Sequence, residues 1–273
     1  MDITARSGKA FRAGDSNPGS VTVSWGGVGR NIAHNLVLLG DEVELMTIFC
    51  GGVFGPVVSA ACRDLGMDIS HSETAPEGGN SFFVSLNDAD GEMVGGIADM
   101  GATEGMDAEW LARREEAINA ADAVVADANL SPEALAWLID HCRRPLYLDA
   151  VSVAKAGRIA EAAALSRKKC FHALKCNALE NEVLSSLGGI SRRYVSAGAE
   201  GLRVEADGRR YSFPALPTIV VNVTGGGDAL LAGIVHAGPD ASIEEAARCG
   251  LLCARCAVES PAAVSNEIKY LNI

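Results

Sequence analysis

Positive charge is scarce in this sequence. Lys and Arg number 23 against 35 Asp and Glu, a formal net charge of −12. Such a balance favours solubility and argues against a broad electrostatic surface for nucleic acid. Long hydrophobic runs are missing too: none approaches the roughly 20 residues that span a bilayer. Met1 to Ser20 has no apolar centre of the signal-peptide kind. No nucleic-acid or membrane partner is therefore expected, and the cytoplasm is the default compartment. Repeats and low-complexity stretches are likewise lacking, and no linker is long enough to separate a pair of independent domains. The eight cysteines are too few in 273 residues to read as a disulfide framework. Cys249, Cys253 and Cys256 share one helix face by spacing. No fourth ligand stands nearby, so they are expected to pack as reduced thiols. What remains, 48% hydrophobic and 21% charged residues, suffices for one substantial core.

Short β-rich runs alternate with Ala/Leu-rich helical runs, the pattern of a mostly parallel sheet covered by helices. Ala123–Ala126 reads as a buried strand, and Ser131-Pro132-Glu133 opens a helix with Ser131 as its N-cap. Leu146–Asp149 is the next strand, Ala154–Leu165 the next helix, and His172–Asn177 leads into another strand-to-helix junction. Two helices are expected at Ala229–His236 and Ile243–Val258. Earlier in the chain the pattern changes. Val21–Trp25 and Ser81–Leu86 alternate in the β manner, and Asn87–Gly91 turns the second back toward Glu92–Ile97 as a hairpin. These antiparallel strands, from about residues 17–25 and 80–98, are expected to form a small β lid on a single domain spanning 1–273.

Thr218–Val223 is an apolar, β-branched run and is expected to be a strand. Thr224, Gly225, Gly226, Gly227 and Asp228 follow it, then a helix. Glycines at such a turn let backbone N–H groups converge on an anion, and the helix N-terminus adds partial positive charge. An aspartate beside them can accept a proton from an attacking hydroxyl. Taken alone, the segment is equally well a tight turn whose aspartate caps a helix. Gly26-Gly27-Val28-Gly29-Arg30-Asn31 precedes the helical face of Ile32, Leu36 and Leu39, which closes at Gly40. Its spacing does not suit a dinucleotide fingerprint. Asn177-Ala178-Leu179-Glu180 can steer phosphates through water-bound Mg²⁺, although by itself it reads first as an N-cap with a capping-box glutamate.

Together these segments resemble the ribokinase-like, or PfkB, family of carbohydrate and nucleoside kinases. The resemblance runs over nearly the whole chain in order. Gly26-Gly27 through Asn31 matches the sugar-binding signature, Asn177-x-x-Glu180 the Mg²⁺/phosphate motif, Ser196–Gly201 the nucleotide-side segment, and Val223–Asp228 the closing signature. It implies a three-layer α/β/α fold with a mostly parallel central sheet and a small lid. It also implies ATP and Mg²⁺ as cofactors, Gly225, Gly226 and Gly227 as an anion hole, and Asp228 as the base. Asn177, Ser196, Gly198, Glu200, Gly201, Thr224, Gly225 and Gly227 would face ATP, and Glu180 would hold Mg²⁺ through water.

Within the family the chain is most similar to pseudouridine kinases, through Ser16–Gly19, Gly26–Asn31, Ile97–Met100 and Asp127–Leu130. That implies phosphorylation of the ribose 5′-hydroxyl of pseudouridine to pseudouridine 5′-phosphate. Asp2, Asn17, Gly26, Gly27, Asn31, Asp99, Asn129 and Asp228 would be the substrate contacts. A kinase of the same family for another nucleoside or sugar is the nearest alternative; a non-catalytic nucleoside-binding sensor is one of a different class. Asn222 and Gly226 depart from the family's usual Asp and Ala. Asn222 removes a negative charge from the monovalent-cation set it would form with Thr224 and Ser265, which puts K⁺ dependence in question. The family also implies a strand before Asp2 and more chain between Glu180 and Arg192, so parts of its fold are expected to lie outside this sequence. An exposed lid face would suit a homodimer.

Overall fold

The computed structural model describes residues 1–273. The chain begins with strands β1 (Asp2–Ser7) and β2 (Gly19–Ser24), helix α1 (Val28–Leu39), β3 (Ile48–Phe49), α2 (Phe54–Asp64) and β4 (Glu73–Thr74). The hairpin β5 (Phe82–Asn87) and β6 (Met93–Asp99) follows, then short helices α3 (Gly101–Glu104), α4 (Ala108–Ala112) and α5 (Glu115–Ala120). An alternating run comes next: β7 (Val124–Asp127), α6 (Pro132–His141), β8 (Leu146–Asp149), α7 (Val153–Leu165), β9 (Phe171–Asn177), α8 (Ala178–Val183) and β10 (Ile190–Ser196). Strands β11 (Leu202–Ala206) and β12 (Arg209–Phe213) and helices α9 (Gly226–His236) and α10 (Ile243–Val258) complete the chain, apart from short 3-10 turns. No helix is long and apolar enough to cross a membrane.

The chain forms two compact units. The first, residues 1–27, 46–64 and 69–105, holds a four-stranded sheet in the order β2-β1-β5-β6. Here β1 runs antiparallel to β2 and parallel to β5, and β5 pairs antiparallel with β6. The expected hairpin forms because the Asp88 carboxylate accepts from the N–H groups of Asp90 and Glu92, at 2.9 and 3.0 Å. The strand Asp2–Ser7 joins the two lid segments read from sequence into one sheet. Its edge strands expose Val21, Val23, Met93 and Ile97.

The second unit, residues 28–45, 65–68 and 106–273, is built on a six-stranded sheet ordered β12-β11-β10-β9-β8-β7. Strands β7 to β10 are parallel, as the alternation implies, and β11 and β12 extend the sheet antiparallel. Every residue of β8 is buried, whereas β7, an edge strand, is only half-buried rather than buried as its sequence suggests. The N-cap read at Ser131 is present, its hydroxyl accepting from Ala134 N–H at 3.2 Å. Helix α1 closes at Gly40, and Ile32 and Leu36 on its apolar face join Leu230, Leu231 and Ile234 of α9 in the main core cluster. Cys249, Cys253 and Cys256 are buried along one face of α10, the packing role expected of them.

One expectation fails. Thr218–Val223 is not a strand. Its β-branched residues pair with no neighbouring strand, and Pro214 and Pro217 precede them. The segment is held instead by the N–H groups of Val221 and Asn222, which donate to the Val258 carbonyl at 2.8 and 3.2 Å, and by the Thr218 hydroxyl, which donates to Glu259 at 2.8 Å. Ile219 and Val223 are therefore 82% and 74% exposed. Propensity for a pleated surface produces a strand only where there is a surface to join.

Helices α9 and α10 approach closely through small residues. A methyl group on Gly233 would lie 2.5 Å from the Cys249 carbonyl, with backbone rather than a flexible side chain in the way. Gly233→Val is accordingly expected to lower unfolding free energy by at least about 1–3 kcal/mol, the usual cost of overpacking. Urea denaturation checks this, and an unchanged midpoint would contradict the packing described.

Candidate active site

Parallel strands that end together carry their last residues to one edge of the sheet, where α/β proteins bind ligands. In this unit Asp127 of β7 is paired with Asp149 of β8, and Asp149 with Lys175 of β9. Cross-strand partners point to the same face of a sheet, so the three charges form a row. The Lys175 ammonium lies 3.0 Å from an Asp149 carboxylate oxygen, with both side chains nearly inaccessible. Asp149 uses its other oxygen to accept from Val151 N–H at 2.7 Å. Asp127 accepts from Asn129 N–H at 2.8 Å and from Gly29 N–H, at the start of α1, at 3.1 Å.

The glycine turn meets this row. Gly225 caps α9 with φ at +84°, and any side chain there would collide with the Ala263 carbonyl. Gly226, Gly227 and Asp228 form the first helical turn, so the helix starts three residues earlier than expected; within the turn Gly226 N–H donates to the Val223 carbonyl at 3.3 Å. Asp228 is 9% exposed and accepts a 2.7 Å hydrogen bond from the Asn31 amide of α1. Burial pushes its carboxyl up to about 7; Asp149 and Asp127 add to the rise, while the Asn31 hydrogen bond and Lys175 oppose it. A carboxyl titrating there suits proton transfer near neutral pH. Burial works against the Lys175 ammonium, yet Asp149 first, then Asp228 and Glu180, hold its pKa above the ordinary lysine value.

Asn177 and Glu180 form the capping box. Asn177 Oδ1 accepts from Glu180 N–H at 2.9 Å, and the two Glu180 oxygens accept from the Asn177 backbone and side-chain amides, each at 2.8 Å. Glu180 is 3% exposed, and burial raises its carboxyl's pKa. Ser196 ends β10 and its hydroxyl donates to the Cys176 carbonyl at 3.4 Å; Gly198–Glu200 then make a 3-10 turn that closes on Gly201. Asn129 accepts from Lys155 Nζ, and its carbonyl accepts from Arg158 at 2.9 Å. Asn222 Oδ1 accepts from Thr224 N–H at 3.0 Å, and its amide nitrogen donates to the Pro261 carbonyl at 3.1 Å. Ser265 is buried and accepts from Glu267 N–H at 3.3 Å.

The remaining sequence-derived positions belong to the four-stranded unit. The β1–β2 hairpin sets Asp2 against Gly26, so closely that a side chain on the glycine would collide with the Asp2 carboxylate. Asp99 accepts from the Asn80 amide at 2.8 Å. Asn17 closes its own loop, accepting from Arg12 N–H at 2.8 Å and donating to the carbonyls of Arg12 and Asp15 at 2.9 and 3.0 Å. The structure thus brings the sequence-derived candidates Asn31 and Asp228 together, and Asp2 with Gly26. Sequence reasoning assigned no role to Asp149, Lys175 or Lys155, and saw Asp127 only as one residue of a motif. The available signal was a charged residue at or near the end of three successive parallel strands.

The profile of the pfkB family carbohydrate kinases matches residues 1–269. A pseudouridine kinase from Escherichia coli (strain K12) is 33% identical over 253 residues, covering 86% of this chain and 79% of its own length. The structure of a carbohydrate kinase from Agrobacterium tumefaciens gives a TM-score of 0.80 at 29% identity, covering 98% of this chain and 92% of that one. A ribokinase from Arabidopsis thaliana complexed with ribose and ATP gives 0.84 at 16% identity, covering 98% of this chain and 94% of that one, a likeness of fold. The α/β fold is thus ribokinase-like, and the chain belongs to the pfkB family of carbohydrate kinases, as a phosphotransferase acting on a hydroxyl group.

Proposed function

We propose that the chain is an ATP-dependent kinase that phosphorylates the ribose 5′-hydroxyl of pseudouridine. The observation that carries the chemistry is Asp228, buried in the first turn of α9 and titrating near neutrality. Its carboxylate takes the proton from the attacking hydroxyl, and the N–H groups of Gly225, Gly226 and Gly227 stabilise charge on the phosphoryl group in flight. Asn31 fixes which Asp228 oxygen is free to act, since it occupies the other. The choice of pseudouridine is supported by the 33% identity to the bacterial pseudouridine kinase. On this reading Asp2, Asn17, Gly26, Gly27, Asn31, Asp99 and Asn129 are the candidate contacts to the nucleoside, and Asn177, Ser196, Gly198, Glu200, Gly201 and Thr224 those to the nucleotide.

Mg²⁺ supplies charge neutralisation to the phosphates when bound. Glu180 fits a role through water: each carboxylate oxygen accepts one hydrogen bond from Asn177 and keeps a second lone pair. The K⁺ set of Asn222, Thr224 and Ser265 fits poorly. A cation needs oxygens, and Asn222 presents an N–H donor to the Pro261 carbonyl. With an aspartate in its place two oxygens would face each other, a repulsion that a cation relieves. Seven of eight unpaired cysteines are buried, which suits a reducing cytoplasm. The apolar edges of the four-stranded sheet suit a homodimer.

Phosphate transfer from ATP to pseudouridine, uridine, adenosine and ribose, compared side by side, tests the substrate. Pseudouridine should have the highest kcat/KM, and a sensor would bind it without turnover. Asp228→Asn is expected to lose about 10²–10⁴-fold in kcat with its fold intact; near-normal turnover would remove Asp228 as the base. Since the ionised form is the active one, wild-type kcat/KM should be flat above about 7 and fall tenfold per unit below it. Rates should be equal in K⁺ and choline buffers, and Asn222→Asp should become K⁺-stimulated; strong K⁺ stimulation of the wild type would contradict the hydrogen-bonded arrangement.

A further inference from the structure

Lysine is almost never buried unless paired, and a buried ion pair is a poor way to gain stability, since apolar side chains of similar volume serve as well or better. Lys175 is 7% exposed in the centre of a parallel sheet. One side of its ammonium is clamped by Asp149 at 3.0 Å. On the other side stands Gly227: a Cβ built there would be 2.5 Å from Nζ and 3.1 Å from Cε. The missing side chain at 227 is what lets a cation sit directly beneath the first turn of α9, one residue from Asp228. A helix N-terminus and a fixed ammonium thus converge on one place.

The charge balance points the same way. Asp228 is faced by Asp127 from β7, Asp149 from β8 and Lys175 from β9, with the neutral Asn31 amide from α1; Glu180 of α8 also acts on Lys175. Lys175 is the cation that acts most strongly on Asp228; the Arg30 guanidinium of α1 donates to Asn31 Oδ1, one residue removed from the carboxylate. A phosphoryl group arriving at α9 brings further negative charge.

We propose that Lys175 is the charge-balancing residue of this site: held by Asp149 beneath Gly227, it keeps the first turn of α9 attractive to a phosphoryl oxygen and keeps Asp228 ionised. It is a positioning residue, acting through the turn and through Asp228. The inference rests on the kinase reading above. It also gives Gly227 a second reason to be glycine, separate from its N–H group.

The test compares Lys175→Met, the neutral double variant Lys175→Met/Asp149→Asn and wild type. In Lys175→Met the acid limb of kcat/KM should move up by about one pH unit, the effect of losing one nearby opposite charge. In the double variant one cation and one carboxylate leave together and the Val151 hydrogen bond is retained. Its melting temperature should stay close to wild type while plateau kcat falls about 10²-fold, the scale of one lost anion-hole contact. A folded Lys175→Met whose acid limb stays in place overturns the proposal, and so does a folded double variant with wild-type kcat. If wild type transfers no phosphoryl group, the kinase reading fails first. The Lys175 effect is then read from the ¹³C-NMR titration of the Asp228 carboxyl, where an unmoved midpoint in Lys175→Met counts against it.

Discussion

The 2.7 Å hydrogen bond from Asn31 to Asp228 ties the start of α1 to the start of α9, and most of the site's chemistry depends on it. The carboxylate is buried with two other carboxylates acting on it, which alone would keep it protonated. Asn31 and Lys175 draw it back toward a range in which it can cycle between base and acid. Its position is equally constrained. Gly225 can adopt its left-handed conformation against Ala263 only because it lacks a side chain, and that conformation starts the helix early enough to put Asp228 in its first turn.

The parallel sheet supplies the other half. Register alone sets Asp127, Asp149 and Lys175 in a row at or near the ends of three neighbouring strands. Each is tied to a different neighbour: Asp127 to the amide that begins α1, Asp149 to Val151, and Lys175 to Asp149. Electrostatic preorganisation of this kind works because the groups are fixed before a ligand arrives. Burying them is costly, and the apolar packing of α1, α9 and α10 around the sheet offsets that cost.

Much of this was legible in the sequence, for identifiable reasons. Alternation of strands and helices, the Ser131 cap, the Asn87–Gly91 turn and the capping box at Asn177 and Glu180 are local signals, and each appears where local chemistry puts it. The hydrogen bond between Asn31 and Asp228, 197 residues apart, joins two of the family's motifs, and no local signal in the sequence announces it. Thr218–Val223 misled because β-branched composition reports fitness for a sheet, not the presence of one. Asp149 and Lys175 escaped because a charge at a strand end acquires meaning only with the neighbouring strand's register.

The chemistry proposed to join these observations is transfer of a phosphoryl group to a primary ribosyl hydroxyl with Asp228 as base. The ³¹P-NMR spectrum of a mixture of the protein, MgATP and pseudouridine tests it most directly. The account predicts growth of a phosphomonoester signal split by the two 5′ methylene protons, matched by ADP and missing with Asp228→Asn. No monoester signal, or one coupled to a ring methine proton, would contradict it.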